Sequence, residues 1–477
     1  MSAGLSGYPT ELLQAIFGDK LLLKADLAQL CLVSTRWNDV AMPQLWESLN
    51  TLQPLLALLT EDAYHSDEIM APSPSSLAFL PRIDDQKWAR TCQNFRLVKT
   101  IDIELSYRDP LNELFASLLQ TVSTRCHLHC LFPNLRRLRL GRQIHGHQNS
   151  GSPYLLRPLL SASVCCDALN ELALYDCLPF TWDSEDDTSA FFGALRSWMH
   201  LRIITLRVFW CCPDLLSSLS LKENLESLDI DFESILCHTA FPPDRFGFTA
   251  LKHLSLRGVS AESASSLVRA WRFPKLESLS VMRVSCPNPA DLQCLLQSVQ
   301  DSVSNDNMRS IRVVSADDAI AWAPLRLQHM APLAPLRGLT TVVLHATDGV
   351  RLTNDEHAEV AGWWPNIEIL QLHIGPSSDE VREVEDLPAT LAALAHYAWA
   401  CRNLRDLRIP LTTRCDIPEL PADLCLHRLA HPLSALYLGV APLFPGHLHE
   451  EAIRYVTGLF PNLSGLTTRV EDVCEVL

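Results

Sequence analysis

The chain has 477 residues, 48% of them hydrophobic and 20% charged, room for about three domains with packed cores. That composition excludes wholesale disorder and collagen-like structure. Lys and Arg number 39 against 55 Asp and Glu, a formal net charge of −16, which argues against nucleic acid as a partner, since phosphate backbones select the opposite sign.

The N-terminus, MSAGLSGYPTELLQ, has neither the basic region nor the apolar core of a signal peptide, so the sixteen cysteines are expected to be reduced thiols in the cytoplasm or nucleus. The vicinal pairs Cys165-Cys166 and Cys211-Cys212 do not suit a disulfide framework. From Tyr8 a short helix is expected, with Pro9 at its first position and Leu12, Leu13, Ile16 and Phe17 forming a stripe. Asp26 reads as the cap of a second helix, with Gln29 completing a capping box. Along it Leu27, Leu30, Cys31, Ser34 and Trp37 recur at helical spacing. Pro43 then punctuates, and Leu45-Trp46 and Leu49 close a third apolar segment. Three short helices in fifty residues bury too little surface to be comfortable alone, so an obligate partner is expected.

The run P-x-E-L-L-x-x-I-F, then D-L-x-x-L-x-L-V-S-x-x-W, then P-x-L-W strongly resembles an F-box, over about Tyr8 to Leu49. Tyr8 stands where the family has a leading Leu, and Gly18–Ala25 is a residue or two longer than usual. The resemblance implies docking onto a Skp adaptor and, through it, a cullin. Carried across by position, the docking residues are Pro9, Leu12, Ile16, Leu27, Leu30, Val33 and Trp37.

Residues 1–50 are thus read as the F-box, and residues 51–95 as a connecting segment. The connecting segment holds an apolar Leu52–Leu59 and a loop at Ala71–Ser76. From Val98 onward an apolar-x-x-apolar-x-apolar phrase returns, at Val98/Ile101/Ile103, Leu135/Leu138/Leu140, Leu169/Leu172/Leu174, Leu201/Ile204/Leu206 and Leu225/Leu228/Ile230. It continues at Leu251, Leu276, Met308, Leu339, Ile367, Leu404 and Leu433, and Leu463/Leu466 is a degraded last copy. The period-2 end of each phrase reads as a buried strand, and Ala190–Trp198, Glu262–Trp271, Asp291–Val299 and Ala389–Ala400 read as helices between phrases. Pro-Asn precedes the copies at Leu135, Ile367 and Leu463. The phrase returns about every 30 residues and resembles irregular leucine-rich repeats. The fold class is therefore α/β: a three-helix F-box followed over residues 96–477 by a leucine-rich-repeat solenoid, a curved parallel sheet with helices on its convex side.

Other chemistry finds little support. Cys126-His127-Leu128-His129-Cys130 crowds four possible zinc ligands into five residues with no second cluster at finger spacing. His447-Leu448-His449-Glu450-Glu451 reads as a helix start, and the acids of Asp183–Asp187 and Asp379–Asp386 as solvated loops. No Walker loop, G-x-G-x-x-G or G-x-S-x-G occurs. Cys474 stands four from the end, the frame of a prenylation box, but Glu475 is not aliphatic and no polybasic stretch precedes it. The longest stretch free of Asp, Glu, Lys and Arg, Leu429–His449, contains three prolines and does not suit a transmembrane segment. The expectation is a chain that is not an enzyme, uses no cofactor or metal, and serves as the substrate receptor of a Skp–cullin–F-box ubiquitin ligase. An interaction scaffold working with the adaptor outside a ligase is the alternative. Aligned phrases place Arg207, Asp231 and Arg257 at one outward position of three consecutive strands, with Asp229 beside them. They are read as a charged ladder that binds the target, with Asp231 between the two arginines.

Overall fold

The computed structural model describes residues 9–19, 21–51, 54, 85–103, 132–141, 168–175, 185–208, 213–232, 246–285, 288–315, 324–346, 349–374, 389–412, 417–420, 431–438 and 446–467. The readings at Ala71–Ser76, Cys126–Cys130, the two vicinal cysteine pairs, Asp379–Asp386, Cys474 and nearly all of Leu52–Leu59 fall outside them. No described helix is long and apolar enough to cross a membrane. The chain divides into two compact units, Met1–Val208 and Phe209–Leu477.

The first unit opens with three helices, α1 (Thr10–Phe17), α2 (Lys24–Cys31) and α3 (Thr35–Trp46). Their starts differ from the sequence reading. Pro9 is the N-cap of α1 and stands one residue before the helix. Leu23 is the N-cap of α2, and Asp26 is its third residue, accepting a hydrogen bond from the Leu23 amide at 3.0 Å. The single periodic run Leu27–Trp37 is two helices, because Ser34 turns extended and its hydroxyl accepts from the Trp37 amide at 3.2 Å, starting α3. Pro43 does not end that helix but lies inside it. The missing amide costs one hydrogen bond, and burial of Val40, Ala41 and Trp46 holds the turns on either side.

Five parallel strands follow in chain order: β1 (Ser48–Leu49), β2 (Thr100–Ile103), β3 (Arg137–Leu140), β4 (Glu171–Leu174) and β5 (Ile203–Val208). The stretch read as a connecting segment contains a helix, Asp85–Phe95, that buries Thr91 and Phe95. The acids Glu185, Asp186 and Asp187 are not loop but the start of the helix Glu185–Ser197.

The second unit continues the pattern. Its strands are β6 (Ser227–Phe232), β7 (Phe246–Gly247), β8 (His253–Arg257), β9 (Trp271–Arg272), β10 (Ser278–Val284), β11 (Ser310–Ser315), β12 (Thr341–Ala346), β13 (Ile369–Ile374), β14 (Asp406–Arg408), β15 (Ala435–Tyr437) and β16 (Gly465–Thr467). Those other than β7 and β9 form one parallel sheet in chain order. The small β7–β9 pair frames buried Phe248, Trp271 and Phe273, whose rings meet at centroid distances of 4.9 to 6.0 Å. Helices Ala261–Ala270, Pro289–Ser302 and Ala393–Ala400 match three of the four read from the sequence, the last beginning four residues late, as Glu185–Ser197 in the first unit matches the fourth, and Gly446–Leu459 begins at the expected helix start. Pro213–Ser220 and Asn354–Trp363 were missed. The second carries its own signal, a capping box in which Thr353 Oγ1 accepts from the Glu356 amide and Glu356 accepts from the Thr353 amide.

In all twelve complete phrases the three apolar residues are buried, none more than 4% exposed, while Leu463 in the last copy is only half-buried. A single carbonyl just ahead of each strand joins neighbouring repeats. Arg309 O accepts from the Thr340 and Thr341 amides at 2.8 and 3.0 Å, and Thr340 O accepts from Glu368 and Ile369 at the same distances. The relay runs from Glu226 to Gly465 in the second unit, and in the first from Glu47 through Lys99, Arg136 and Asn170 to Ile203. Asparagines one residue ahead of the phrase add side-chain rungs: Asn134 to Arg96 O at 2.7 Å, Asn307 to Pro274 O at 2.8 Å and Asn462 to His431 O at 3.0 Å. This accounts for two of the three Pro-Asn pairs.

Buried polar groups give the second unit a pH dependence. His357 is 1% exposed, and its Nδ1 shares a hydrogen bond of 2.8 Å with the Tyr397 hydroxyl. Burial, aided by the charge of His396, pushes its pKa from 6.5 to about 3. Between those values the unfolded chain binds a proton that the folded chain refuses, so stability is lost as pH falls through that window. For this group alone, urea unfolding should show about 1.5 kcal/mol less stability at pH 5 than at pH 6.5. The His357→Gln variant should show a shallower slope, and an unchanged slope would contradict the assignment.

Candidate functional site

Two surfaces are built by these elements. The first lies on the three N-terminal helices. Their core holds Leu13, Phe17, Leu27, Val40 and Ala41, with Leu22, Leu30, Cys31, Trp37 and Leu45 packed around it. Phe17 and Trp37 meet edge to face at 5.4 Å. The apolar stripe of α1 therefore splits. Leu13 and Phe17 face inward, whereas Leu12 and Ile16, one turn apart, are 43% and 45% exposed. Of the seven residues expected to dock a partner, Pro9, Leu12, Ile16 and Val33 are exposed, Leu30 and Trp37 are half-buried, and Leu27 lies in the core. The sequence reading missed Leu21, Leu23 and Leu32, which are among the most exposed large apolar residues described. Their position in the turns before α2 and α3 was the available signal, since a turn leucine has no helix face to bury it.

This module is tied to the sheet. Glu47, immediately after α3, gives its carbonyl to the Lys99 and Thr100 amides and its carboxylate to Lys99 Nζ at 2.9 Å. Lys24 Nζ donates to the Ser48 carbonyl, and Arg36 of α3 donates to Thr10 of α1 at 3.1 Å. The first strand of the sheet thus comes from the end of the helical module.

Residues 8–51 match the family model described as F-box-like. The N-terminal module is F-box-like. Behind it the repeats have leucine-rich-repeat form. No curated protein matches the chain significantly. Among solved structures, the yeast Rad7–Elc1 complex aligns at 14% identity and a TM-score of 0.39, covering 83% of this chain and 92% of that one. An internalin (inlF) from Listeria monocytogenes aligns at 12% identity and a TM-score of 0.39, covering 79% and 89%. A leucine-rich-repeat protein of Leptospira interrogans aligns at 13% identity and a TM-score of 0.34, covering 79% and 97%.

The second surface is the open face of the repeat sheet, formed by side chains between the buried positions. The expected charged ladder differs from the one observed. Arg207 lies on β5 in the first unit, while Asp229, Asp231 and Arg257 lie in the second. Asp231 and Arg257 are register partners, but Arg257 Nη2 bonds Asp229 Oδ2 at 3.4 Å, and Asp231 bonds Arg283 of β10 instead. A bulge between Val281 and Val284 makes this possible. It puts Arg283 at φ +51°, the one non-glycine residue with positive φ among those described. The intervening strand β8 is followed by Gly258, φ +67°, where a Cβ would stand 2.0 Å from the Phe232 carbonyl oxygen and 3.6 Å from the Arg283 guanidinium. Burial, and then the nearby Asp231 charge, raise the pKa of Asp229, while Arg257 and a hydrogen bond from Ser255 oppose the rise.

The first unit carries a charge network that the sequence reading overlooked. Glu171, 7% exposed, accepts from Arg137 and Arg139 at 2.5 Å each, and Arg139 also faces Asp102 at 3.8 Å. Aligning the phrases at Leu135 and Leu169 would have revealed it, because Arg137 and Glu171 are register partners.

Gly258→Ala should therefore cost at least about 2 kcal/mol in urea unfolding, from left-handed strain and backbone overlap. Asp231→Asn removes only a partly solvated pair and should cost no more than about 1 kcal/mol. Equal effects would refute the role given to Gly258.

Proposed function

We propose that this chain is the substrate-recognition subunit of a Skp–cullin–F-box ubiquitin ligase, working in the cytoplasm or nucleus. The observation that carries the reading is the outward set Leu12, Ile16 and Val33 on an F-box-like module whose core is already filled by Leu13, Phe17 and Leu27. Apolar side chains that the module does not use for its own core, with Leu21, Leu23 and Leu32 around them, suit burial against an adaptor. The repeat sheet offers a long polar face for a target protein. In this reading the chain does no covalent chemistry and needs no cofactor or metal. It raises the local concentration of a bound target beside the ubiquitin-loaded enzyme. The Glu47–Lys99 junction supports the role, because an adaptor held on the F-box is then placed against the first repeats without a slack tether.

Co-expression with a Skp adaptor and a cullin should give a three-component complex on size exclusion. The combined Leu12→Ala and Ile16→Ala variant should lose about 2–4 kcal/mol of adaptor affinity, with little change in melting temperature, since both side chains are well exposed. Trp37→Ala should lose affinity and stability together, because that ring packs on Phe17. Unimpaired adaptor binding by a folded Leu12/Ile16 double variant would overturn the docking surface. A complex that retains the adaptor but never the cullin would favour a scaffold outside a ligase.

A further inference from the structure

The open face of the second unit divides by charge. Toward its start, Asp229, Asp231, Arg257 and Arg283 cancel in two pairs. Further along, β11 to β15 present a row of register partners: Arg312, Val343, Gln371, Arg408 and Tyr437. Arg312 is exposed and has no ion-pair partner among the described residues. Arg408 donates to Asp406 through Nε and Nη2 at 3.2 Å each, and Asp406 also accepts from Gln371 Nε2 at 2.7 Å. One carboxylate therefore serves two donors, Arg408 and Gln371, and Arg312 has no carboxylate of its own among the described residues. His345 adds no charge to the tally. Burial first, then Arg408 and Arg312, push its pKa down to about 4, so it is neutral at pH 7.

We propose that Arg312 and Arg408, flanking Val343 and Gln371 on the open face, form a subsite for an anionic group of the bound target, a carboxylate or a phosphoryl. This rests on reading the chain as a target receptor. The residues lie three strand spacings apart, about 14 Å between Cα atoms, and guanidinium forks match the planar or tetrahedral oxygens of such a group. Val343, only 5% exposed, supplies an apolar floor that strengthens a charged contact above it. Burial pushes the neighbouring Tyr437 hydroxyl up to about 12, so it keeps its proton. With a formal net charge of −16, the chain repels anions at long range. Beyond a Debye length of about 8 Å that repulsion is screened. The subsite accordingly selects among targets already at the surface more than it draws them in.

The test uses the purified full chain with its Skp adaptor and four fluorescent degenerate peptide pools, each with one fixed central residue: Glu, phosphoserine, Gln or Ser. Wild type should retain the Glu or the phosphoserine pool about tenfold more than its neutral counterpart. A preference for Glu identifies a carboxylate, and one confined to phosphoserine identifies a phosphoryl. The ratio should fall to near one in the Arg312→Gln/Arg408→Gln variant. If that variant does not fold, the exposed Arg312→Gln change alone should still lower the ratio at least about threefold. No preference in wild type, or a preference untouched by folded variants, overturns the subsite. Adaptor co-elution is read on the same samples. Anion preference without adaptor binding leaves the subsite standing and defeats the ligase reading, whereas adaptor binding without anion preference does the reverse.

Discussion

One backbone carbonyl per repeat, shared by two amides of the next, is the interaction on which each unit depends. It fixes where every strand begins relative to its neighbour, and the buried apolar triplets then fall into line. A register slip of one residue would turn Leu, Ile and Val toward the open face and charges toward the core. The relay in the first unit starts at Glu47, inside the F-box. The helical module is thus the first rung of the ladder rather than a bead on a string.

The F-box-like module has a filled core and still presents apolar side chains outward. Its inward residues form a closed set in which Phe17 and Trp37 meet edge to face. Its outward leucines, isoleucine and valine lie on one helix surface and in two turns, and are between 43% and 85% exposed. Apolar area of this kind is costly in water and stabilising in an interface. The stripe of α1 splits into side chains that build the core and side chains that face outward.

On the open faces the governing constraint is charge neutrality at close range. Glu171 holds two arginines, and Asp229 and Asp231 each hold one. Such pairs stabilise little when they are partly solvated, yet they offset one another at close range, with Asp102 as the second anion beside Arg139. Among the described residues, Arg312 is an exposed arginine of this face with no ion-pair partner. A bulge and a glycine just after β8 show how finely the backbone sets these pairings, since Arg283 reaches Asp231 by passing a strand with no side chain at that point.

The sequence by itself determined the repeat and its polarity. The triplets from Val98 to Leu438 all lie in the core because period-2 burial on a parallel strand is a local property that composition alone can encode. It also determined the F-box, whose spaced apolar residues form a dense motif. It did not determine where α2 ended and α3 began, because Leu27 to Trp37 keeps helical spacing straight through the break and only the Ser34 conformation interrupts it. Nor did it determine which stripe residues face outward: Leu12 and Leu13 are the same residue type, and only the packing of α3 against α1 distinguishes them. The charge pairings were decided last. Register placed Arg257 opposite Asp231 as expected, but side chains reach along and across strands, and a bulge with a positive φ redirected Arg283. Those are properties of three neighbouring strands at once, and no single strand's sequence carries them.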